Sequence, residues 1–449
     1  MSTLSVRTIQ TPDNSPVSFP NGIRIGSATG AGAINNIGTP GQQGFGVGIA
    51  PQLPSGFAKL YGTEDPASDT YGNYQYTDGS VMVYIPAFYY KYGTGANGLG
   101  LNVVDVKAFG AYADLATANA AGYALHRAFY NGGSIRPGVF VDKYMVSNNG
   151  GVASSIKNAN PISSAVRGSL ATATFASLSG APANAYYGAF AAAKTRGGIF
   201  FCSSRFIRAA LALLANAHGS ASIGTTYCAW YSAGSTNFPK GNNNNALGDA
   251  NDGAIAYLAD GNGTYPGAAK TGSANFFSRT THNGQNNGVA DLNGNMYSIE
   301  PGITSDATNF FLLNTSADVN AITGGNTLAT DAWGATGLAA MYTNIGATYA
   351  CLTASSTNKV FGSAAQVLSE ATSGTAWVMT GLGVPLVGGV GGSNQFGNDG
   401  LYDYRPNELC VLSGGYWNSG GIAGVWCLNL DPVRSSSSSS VGFRSASYL

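Results

Sequence analysis

The hydrophobic pattern of the chain changes character near residue 78. Before it, short apolar alternations such as Gly22-Ile23-Arg24-Ile25 and Phe45-Gly46-Val47-Gly48-Ile49 sit in Gly, Pro, Asn and Thr-rich sequence. Period-two alternation predicts short half-buried strands. So few apolar residues predict a small N-terminal β module over 1–77 that relies on other chains or a larger assembly for stability. From Val81 to Lys91 the sequence is dense in Val, Ile, Phe and Tyr and predicts a buried strand that opens a large domain over 78–449. Within it Phe206, Ile207, Ala210, Leu211 and Leu214 recur at helical spacing, with Ser203 or Ser204 as cap and Gly219 as stop. A second, Ala-rich helix is expected from Asp114 to about Leu125. The Asn/Gly-rich stretches at about 240–290 and 303–400 are expected to be long ordered excursions, because structureless loops of that length are rare in compact domains. After Gly414-Gly415-Tyr416-Trp417-Asn418 comes a polar stretch ending in six serines, Ser435 to Ser440, and then Val441-Gly442-Phe443-Arg444. A disordered serine tail would stay polar, so this return to apolar residues predicts re-entry into a core. The fold class expected is α+β, mostly β, with two helices and long ordered loops.

Charge narrows the function. Lys plus Arg and Asp plus Glu balance at 21 each, and 9% of residues are charged, which argues against nucleic acid as a partner and against a polybasic membrane contact. The 64 glycines and 25 tyrosines, with many Asn and Ser, favour turns and adaptable recognition loops. Residues 1–30 lack the basic and apolar regions of a secretory signal. The longest uncharged apolar stretch, Ala376 to Gly392, is interrupted by Pro385 and glycines, so no membrane insertion is expected. Cysteines 202, 228, 351, 410 and 427 make no C-x-x-C pair and are expected to be buried thiols, with a Cys410–Cys427 disulfide across a hairpin as the alternative.

Catalytic constellations are sparse. Gly93 to Gly98 spells G-x-G-x-x-G, but the Leu99–Val104 alternation that follows predicts a hairpin turn instead of a helix N-terminus for a pyrophosphate. Asp249, Asn251, Asp252 and Gly253 suggest a calcium loop whose EF-hand spacing fails, leaving a calcium or sodium site of another kind open. No other cofactor is expected. His126, His218 and His282 are scattered; His218 is expected at a helix C-terminus, where partial charge is favourable. Carboxylates such as Asp403 and Glu408 could pair as in a glycosidase, but any Gly-rich β protein offers such pairs by chance. No catalytic residue is assigned.

Several segments in order resemble the C-type-lectin-like fold shared by formylglycine-generating enzymes and by phage receptor-binding proteins of the tropism-determinant type. Val81–Lys91 resembles the I-P-x-F-Y-Y-K opening of such domains in phage tail proteins. His126-Arg127-Ala128-Phe129 resembles its H-P-A-F segment, with Arg127 in place of proline, and Gly138–Ser147 resembles its opening strand. Asp291–Tyr297 looks like its D-x-x-G-N-V-W turn, Gly414–Trp417 its G-G-S-W strand, and Gly442-Phe443-Arg444 its closing G-F-R strand. The resemblance implies a phage tail-fibre or tail-tip receptor-binding protein located on the virion, and not an enzyme. Its implied partners are a host-surface receptor, protein or glycan, and other tail proteins through the N-terminal module, with trimers common among such fibres. It also implies a variable region, 414–440, whose counterparts are rewritten by diversity-generating retroelements. Tyr416, Asn418, Ser419, Ile422, Ala423, Val425, Leu428 and Asn429 all belong to the residue set that adenine mutagenesis of AAC codons yields, and are the expected receptor contacts. Trp417, Trp426, Gly442, Phe443, Arg444, Asp291 and Asn295 are the expected scaffold. The two copper cysteines of the oxidases would fall on Ser419 and Gly424, neither of which supplies a thiolate. A tail-associated glycan-degrading enzyme and a structural tail-tip protein are the alternatives.

Overall fold

Six short strands form a first sheet in the order Phe57–Lys59, Asn73–Tyr76, Val81–Pro86, Gly138–Asp142, Ser445–Tyr448 and Phe201–Cys202, with every neighbouring pair antiparallel. The structure, a computed structural model, describes residues 32–178, 180–181, 183, 185–233, 238–322, 339–362, 365–389 and 396–449. The Gly22–Ile25 alternation lies outside them. The fold class is α+β and mostly β.

The aromatic segment beginning at Val81 is two strands, not one. Pro86 has no N–H for a ladder and ends the first; Phe88–Tyr92 then pairs with Val104–Ala108 in a separate three-stranded sheet. Between those two strands, the Gly93–Gly98 run is a hairpin turn in which the Gly93 N–H donates to the Val103 carbonyl at 2.7 Å.

Four α-helices occur among the described residues. Helix α1, Leu115–Ala120, is capped by Asp114, whose side chain accepts the Thr117 N–H, and ends well before Leu125 because Gly122 turns the chain at φ +80. Helix α2, Ala185–Lys194, was not legible in the sequence; it buries Tyr186, Tyr187 and Phe190 against the strands Phe201–Cys202 and Val441–Gly442. Helix α3, Arg205–Ala221, is capped by Ser204 and is almost wholly buried. It runs through Gly219 instead of stopping there. A Cβ at Gly219 would approach the Trp230 ring to 2.9 Å, so this glycine serves close packing, not termination. Helix α4, Gly374–Gly381, completes the set.

A second sheet runs Thr357–Val360, Gly400–Asp403, Leu428–Asn429, Leu412–Ser413, Tyr297–Ile299 and Val441–Gly442. The C-terminal segment joins both sheets. Val441–Gly442 forms the edge of the second, Phe443 is fully buried against Phe175, and Ser445–Tyr448 enters the middle of the first. Between them the Arg444 guanidinium donates to the carbonyls of Asp142, Lys143, Ala290 and Asp291. The serine run leading into this segment is docked: Ser438 N–H donates to Ser164 Oγ at 2.8 Å, and Tyr297 N–H to the Ser440 carbonyl at 2.9 Å.

The expected boundary at 77/78 is not a break in packing. Phe57–Lys59 and Asn73–Tyr76 continue the first sheet, and Ile37, Phe45, Val47 and Ile49 share one core with Val83, Ile85 and Phe88. The excursion expected at 303–400 holds a three-stranded sheet, Ile303–Ser305, Phe310–Leu313 and Tyr342–Gly346, besides α4.

All three histidines are buried and accept an N–H at Nδ1: His126 from Ala128 at 3.1 Å, His218 from Gly41 at 3.0 Å and His282 from Val289 at 3.1 Å. An imidazole that accepts there is neutral, with its proton on Nε2. His218 is therefore uncharged and lies inside α3, which continues to Ala221. Burial lowers the pKa to about 3 for His126 and about 4 for His218 and His282. Unfolded imidazoles take up protons below about pH 6.5. Stability from these groups is thus fully present above that pH and is lost as pH falls toward the folded values. Ring signals of the folded protein are expected not to titrate between about pH 7 and pH 5 by NMR; a midpoint near the unfolded value for any of them would refute its neutrality.

Candidate functional site

The loop from Gly414 to Cys427 joins two neighbouring antiparallel strands, Leu412–Ser413 and Leu428–Asn429. Gly414 and Gly415 have φ of +89 and +81, and a Cβ on the second would meet Ala423 at 2.7 Å. Only glycine combines that backbone with that approach. The pair turns the chain outward, and α3 fixes the far end of the loop. Arg205, buried in its first turn, donates to the Trp426 carbonyl at 2.9 Å and to Ser413 Oγ at 3.0 Å. Trp426 in turn packs on Phe361 and donates from its indole to Asn216 Oδ1 at 3.2 Å.

The excursion over 240–290 buttresses the same loop. Gly420 N–H donates to the Asn243 carbonyl at 2.8 Å, and Asn245 N–H to the Trp417 carbonyl at 2.7 Å. This excursion is held in place by the Asp291–Asn295 turn, where both residues have φ near +60, Asp291 at 55 and Asn295 at 60. Asp291 Oδ2 accepts the Gly272 N–H at 2.6 Å, while Asn295 Oδ1 accepts from Ala269 N–H and from Asn242 Nδ2, both at 3.0 Å.

The eight expected contact residues divide by burial. Asn418 and Ile422 are exposed, Ile422 by 47%, and Tyr416, Ser419 and Asn429 are half-buried. Ala423, Val425 and Leu428 are buried, Val425 by the full measure at 0% exposure. Ala423 and Val425 therefore stand off the outer surface, whereas Leu428, although 1% exposed, still lines the larger cleft. Val425, Trp426 and Leu428 belong to the main core with Leu401, Phe361 and Phe396, so the apolar positions of the loop anchor it from below. The scaffold residues Trp417, Trp426, Gly442, Phe443 and Arg444 are all buried.

Two clefts flank Tyr297 on the outer side. The larger, about 550 Å³, is lined by Tyr297, Asn358, Tyr402, Ile422, Leu428 and Asn429, among others. The smaller, about 310 Å³, lies between Tyr297 and the Pro432–Ser440 stretch. A chain of aromatic rings leads inward from Tyr297: it stacks on Tyr416 at 5.4 Å, Tyr416 meets the edge of the buried Trp417 at 5.4 Å, and Trp417 meets Tyr265 at 5.4 Å. Tyr297, Asn358 and Tyr402 had not been singled out as contacts. Asn358 lies in Thr357-Asn358-Lys359-Val360, too polar to read as a strand, and Tyr297 had read only as the end of a turn.

The chain has a distant structural neighbour. It is a solved structure titled "Major Tropism Determinant U1 Variant", with 13% sequence identity and a TM-score of 0.28; the alignment covers 82% of this chain and 63% of that one. The chain thus spans less than two thirds of that neighbour's length. No family model and no curated protein matches the sequence.

The chemistry around the clefts is quiet. Asp403 is held by the Lys359 ammonium at 2.7 Å and by Thr353 Oγ1 at 2.8 Å. Glu408 lies 3.9 Å from Arg434, so the carboxylate pair is engaged with cations rather than with each other. All five cysteines are buried and unbridged, which overturns the Cys410–Cys427 disulfide; burial pushes both thiols up to about 12. A thiol so raised is a poor nucleophile at neutral pH. In the expected calcium loop, the Asp249 carboxylate accepts N–H bonds from Gly241, Asn251 and Asp252 at 2.7–2.9 Å, and Asp252 pairs with Arg279 at 3.1 Å. Among the described residues no three His, Cys, Asp or Glu side chains gather as a metal site, and no helix is long and apolar enough to cross a membrane.

Proposed function

We propose that the chain is a phage tail receptor-binding protein and that its contact surface is the outer rim of the two clefts: Tyr416, Asn418, Ser419, Ile422 and Asn429 from the C-terminal loop, with Tyr297, Asn358 and Tyr402 beside them. The observation that carries this reading is the division of labour within one loop. Ala423, Val425 and the two tryptophans are buried, while Ile422 and Asn429 line a cleft of about 550 Å³ together with Tyr297 and Tyr402, and Asn418 is exposed. Tyrosine rings with amide and hydroxyl neighbours suit recognition, because they give large contact area at small entropy cost. The sequence resemblance to tropism-determinant proteins supports the same assignment and a position at the tail tip or fibre. Exchange of the outward residues would alter contacts and leave the anchors intact, which is what a diversified surface requires.

The test is a combined Asn418→Ala, Ile422→Ser and Tyr402→Ala variant. Asn418 and Ile422 are exposed and their changes cost about 0.5 kcal/mol or less each, so the melting temperature should fall by little more than truncation of the half-buried Tyr402 costs. Adsorption of the purified protein to host cells is expected to fall at least about tenfold, as loss of a central contact does. Undiminished adsorption by a normally folded variant would move the site off this rim.

A further inference from the structure

Lys143 buries its amine without a counter-charge. The residue follows the strand Gly138–Asp142 and is only 4% exposed. Its Nζ donates to Asn73 Oδ1 at 2.5 Å and to the Asn286 carbonyl at 2.6 Å. Among the described residues no carboxylate lies within 4.0 Å of it. Nζ also lies 5.4 Å from the centroid of the Phe277 ring, and the Lys157 ammonium stands over that same ring at 5.0 Å.

These contacts form a seam between distant parts of the chain. Asn73 belongs to the N-terminal strands of the first sheet, and Asn286 to the end of the 240–290 excursion that buttresses the C-terminal loop. The Asn73 amide extends the seam, since its Nδ2 donates to the carbonyls of Tyr71 and Asn287 at 2.9 and 2.7 Å. An ammonium carries three N–H donors, an uncharged amine two. The seam offers Nζ two oxygens, so the neutral form is fully used and a third hydrogen would meet only an aromatic face. Burial without an opposite charge disfavours the ammonium further.

We propose that Lys143 is a pH-sensitive clamp, which closes the seam between the N-terminal strands and the 240–290 excursion as the free amine and loosens it on gaining a proton. Few charges reach it. Lys157 opposes its protonation, and Asp69, whose Oδ1 accepts the Asn286 Nδ2 at 3.0 Å, favours it. His282, on the same stretch as Asn286, is neutral and accepts the Val289 N–H, while Arg444 touches only the Lys143 carbonyl, at 3.2 Å. Burial first, and the Lys157 charge second, lower the pKa of Lys143 to about 7. A lysine released into water titrates near about 10.4. Between those two values opening takes up a proton, so the closed seam gains stability as pH rises from about 7 to about 10.4. Below about 7 both forms are charged, and the cost of burying the ammonium is carried in full. The clamp belongs to the scaffold and does not depend on what the outer rim binds.

Equilibrium urea unfolding of the parent and of Lys143→Met between about pH 7 and pH 9 tests it. Methionine keeps an apolar stem but cannot titrate. The ratio of the two folding constants, parent over variant, is expected to rise about tenfold per pH unit across that range. A ratio that stays flat would overturn the clamp. Native-state proteolysis within 240–290, compared between the same two proteins at each pH, locates the effect: protection of the parent should grow with pH, and protection independent of pH removes the seam from the account. Should Lys143→Met fail to fold, NMR titration of parent carrying isotope-labelled lysine decides. One lysine signal is expected to titrate near pH 7, and the proposal falls if all of them titrate above about pH 9.

Discussion

A chain lacking residues 1–77 is expected to be unfolded and insoluble. The deletion removes two of the six strands of the first sheet and leaves Val81–Pro86 as a new edge with unpaired backbone groups. It also removes Ile37, Phe45, Val47 and Ile49, all buried in the main core. Those four side chains carry roughly 6–12 kcal/mol of burial at about 1.5–3 kcal/mol each, a sum of the size of a domain's whole stability of about 5–15 kcal/mol. Polar partners go with them: Lys143 Nζ loses Asn73 Oδ1, and His282 loses the Gly46 carbonyl. Soluble yield and a circular-dichroism melt of residues 78–449 check this. A cooperatively melting fragment would establish the N-terminal segment as a separable attachment module after all.

Changing Val425 and Leu428 together to serine is expected to unfold the protein, whereas changes at Asn418 and Ile422 are not. Both apolar side chains are buried, and each substitution forfeits about 2–4 kcal/mol of burial and cavity energy. A thermal melt of the double variant decides the matter. A near-native melting temperature would mean that the loop is not anchored as described.

The sequence carried the frame better than the surface. Helix α3 was legible because Phe206, Ile207, Ala210, Leu211 and Leu214 keep a 3.6-residue period behind a serine cap. Helix α2 was not, because it is buried on nearly every side and Tyr186, Tyr187 and Phe190 leave no polar face to mark the period. The N-terminal boundary misled for a related reason. Short Gly-rich strands look self-insufficient whether they await another chain or, as Asn73–Tyr76 does, the strand that follows in the same one. In the C-terminal loop, membership of a mutable residue set says nothing about direction. The better signal was the unbroken apolar run Val425-Trp426-Cys427-Leu428 between Gly424 and Asn429, the mark of a buried strand. Ile422, isolated between glycine and alanine, carried no such mark and is the one that faces outward.

The docking of Ser445–Tyr448 between Gly138–Asp142 and Phe201–Cys202 has a consequence for biosynthesis. Tyr448 pairs with Val139, and Arg444 reaches the Asp142 carbonyl across a sequence separation of 302 residues. Closing so long a loop delays the contacts that reward it. While residues up to about 440 are leaving the ribosome, the edge of Gly138–Asp142 has no mate and the cavity for Phe443 stands open to water. The nascent chain must therefore remain an incomplete, sticky intermediate until residues 441–448 have emerged. Completion of the first sheet waits on Ser445–Tyr448, and a chain truncated before that strand would leave Gly138–Asp142 and Phe201–Cys202 without the neighbour that joins them.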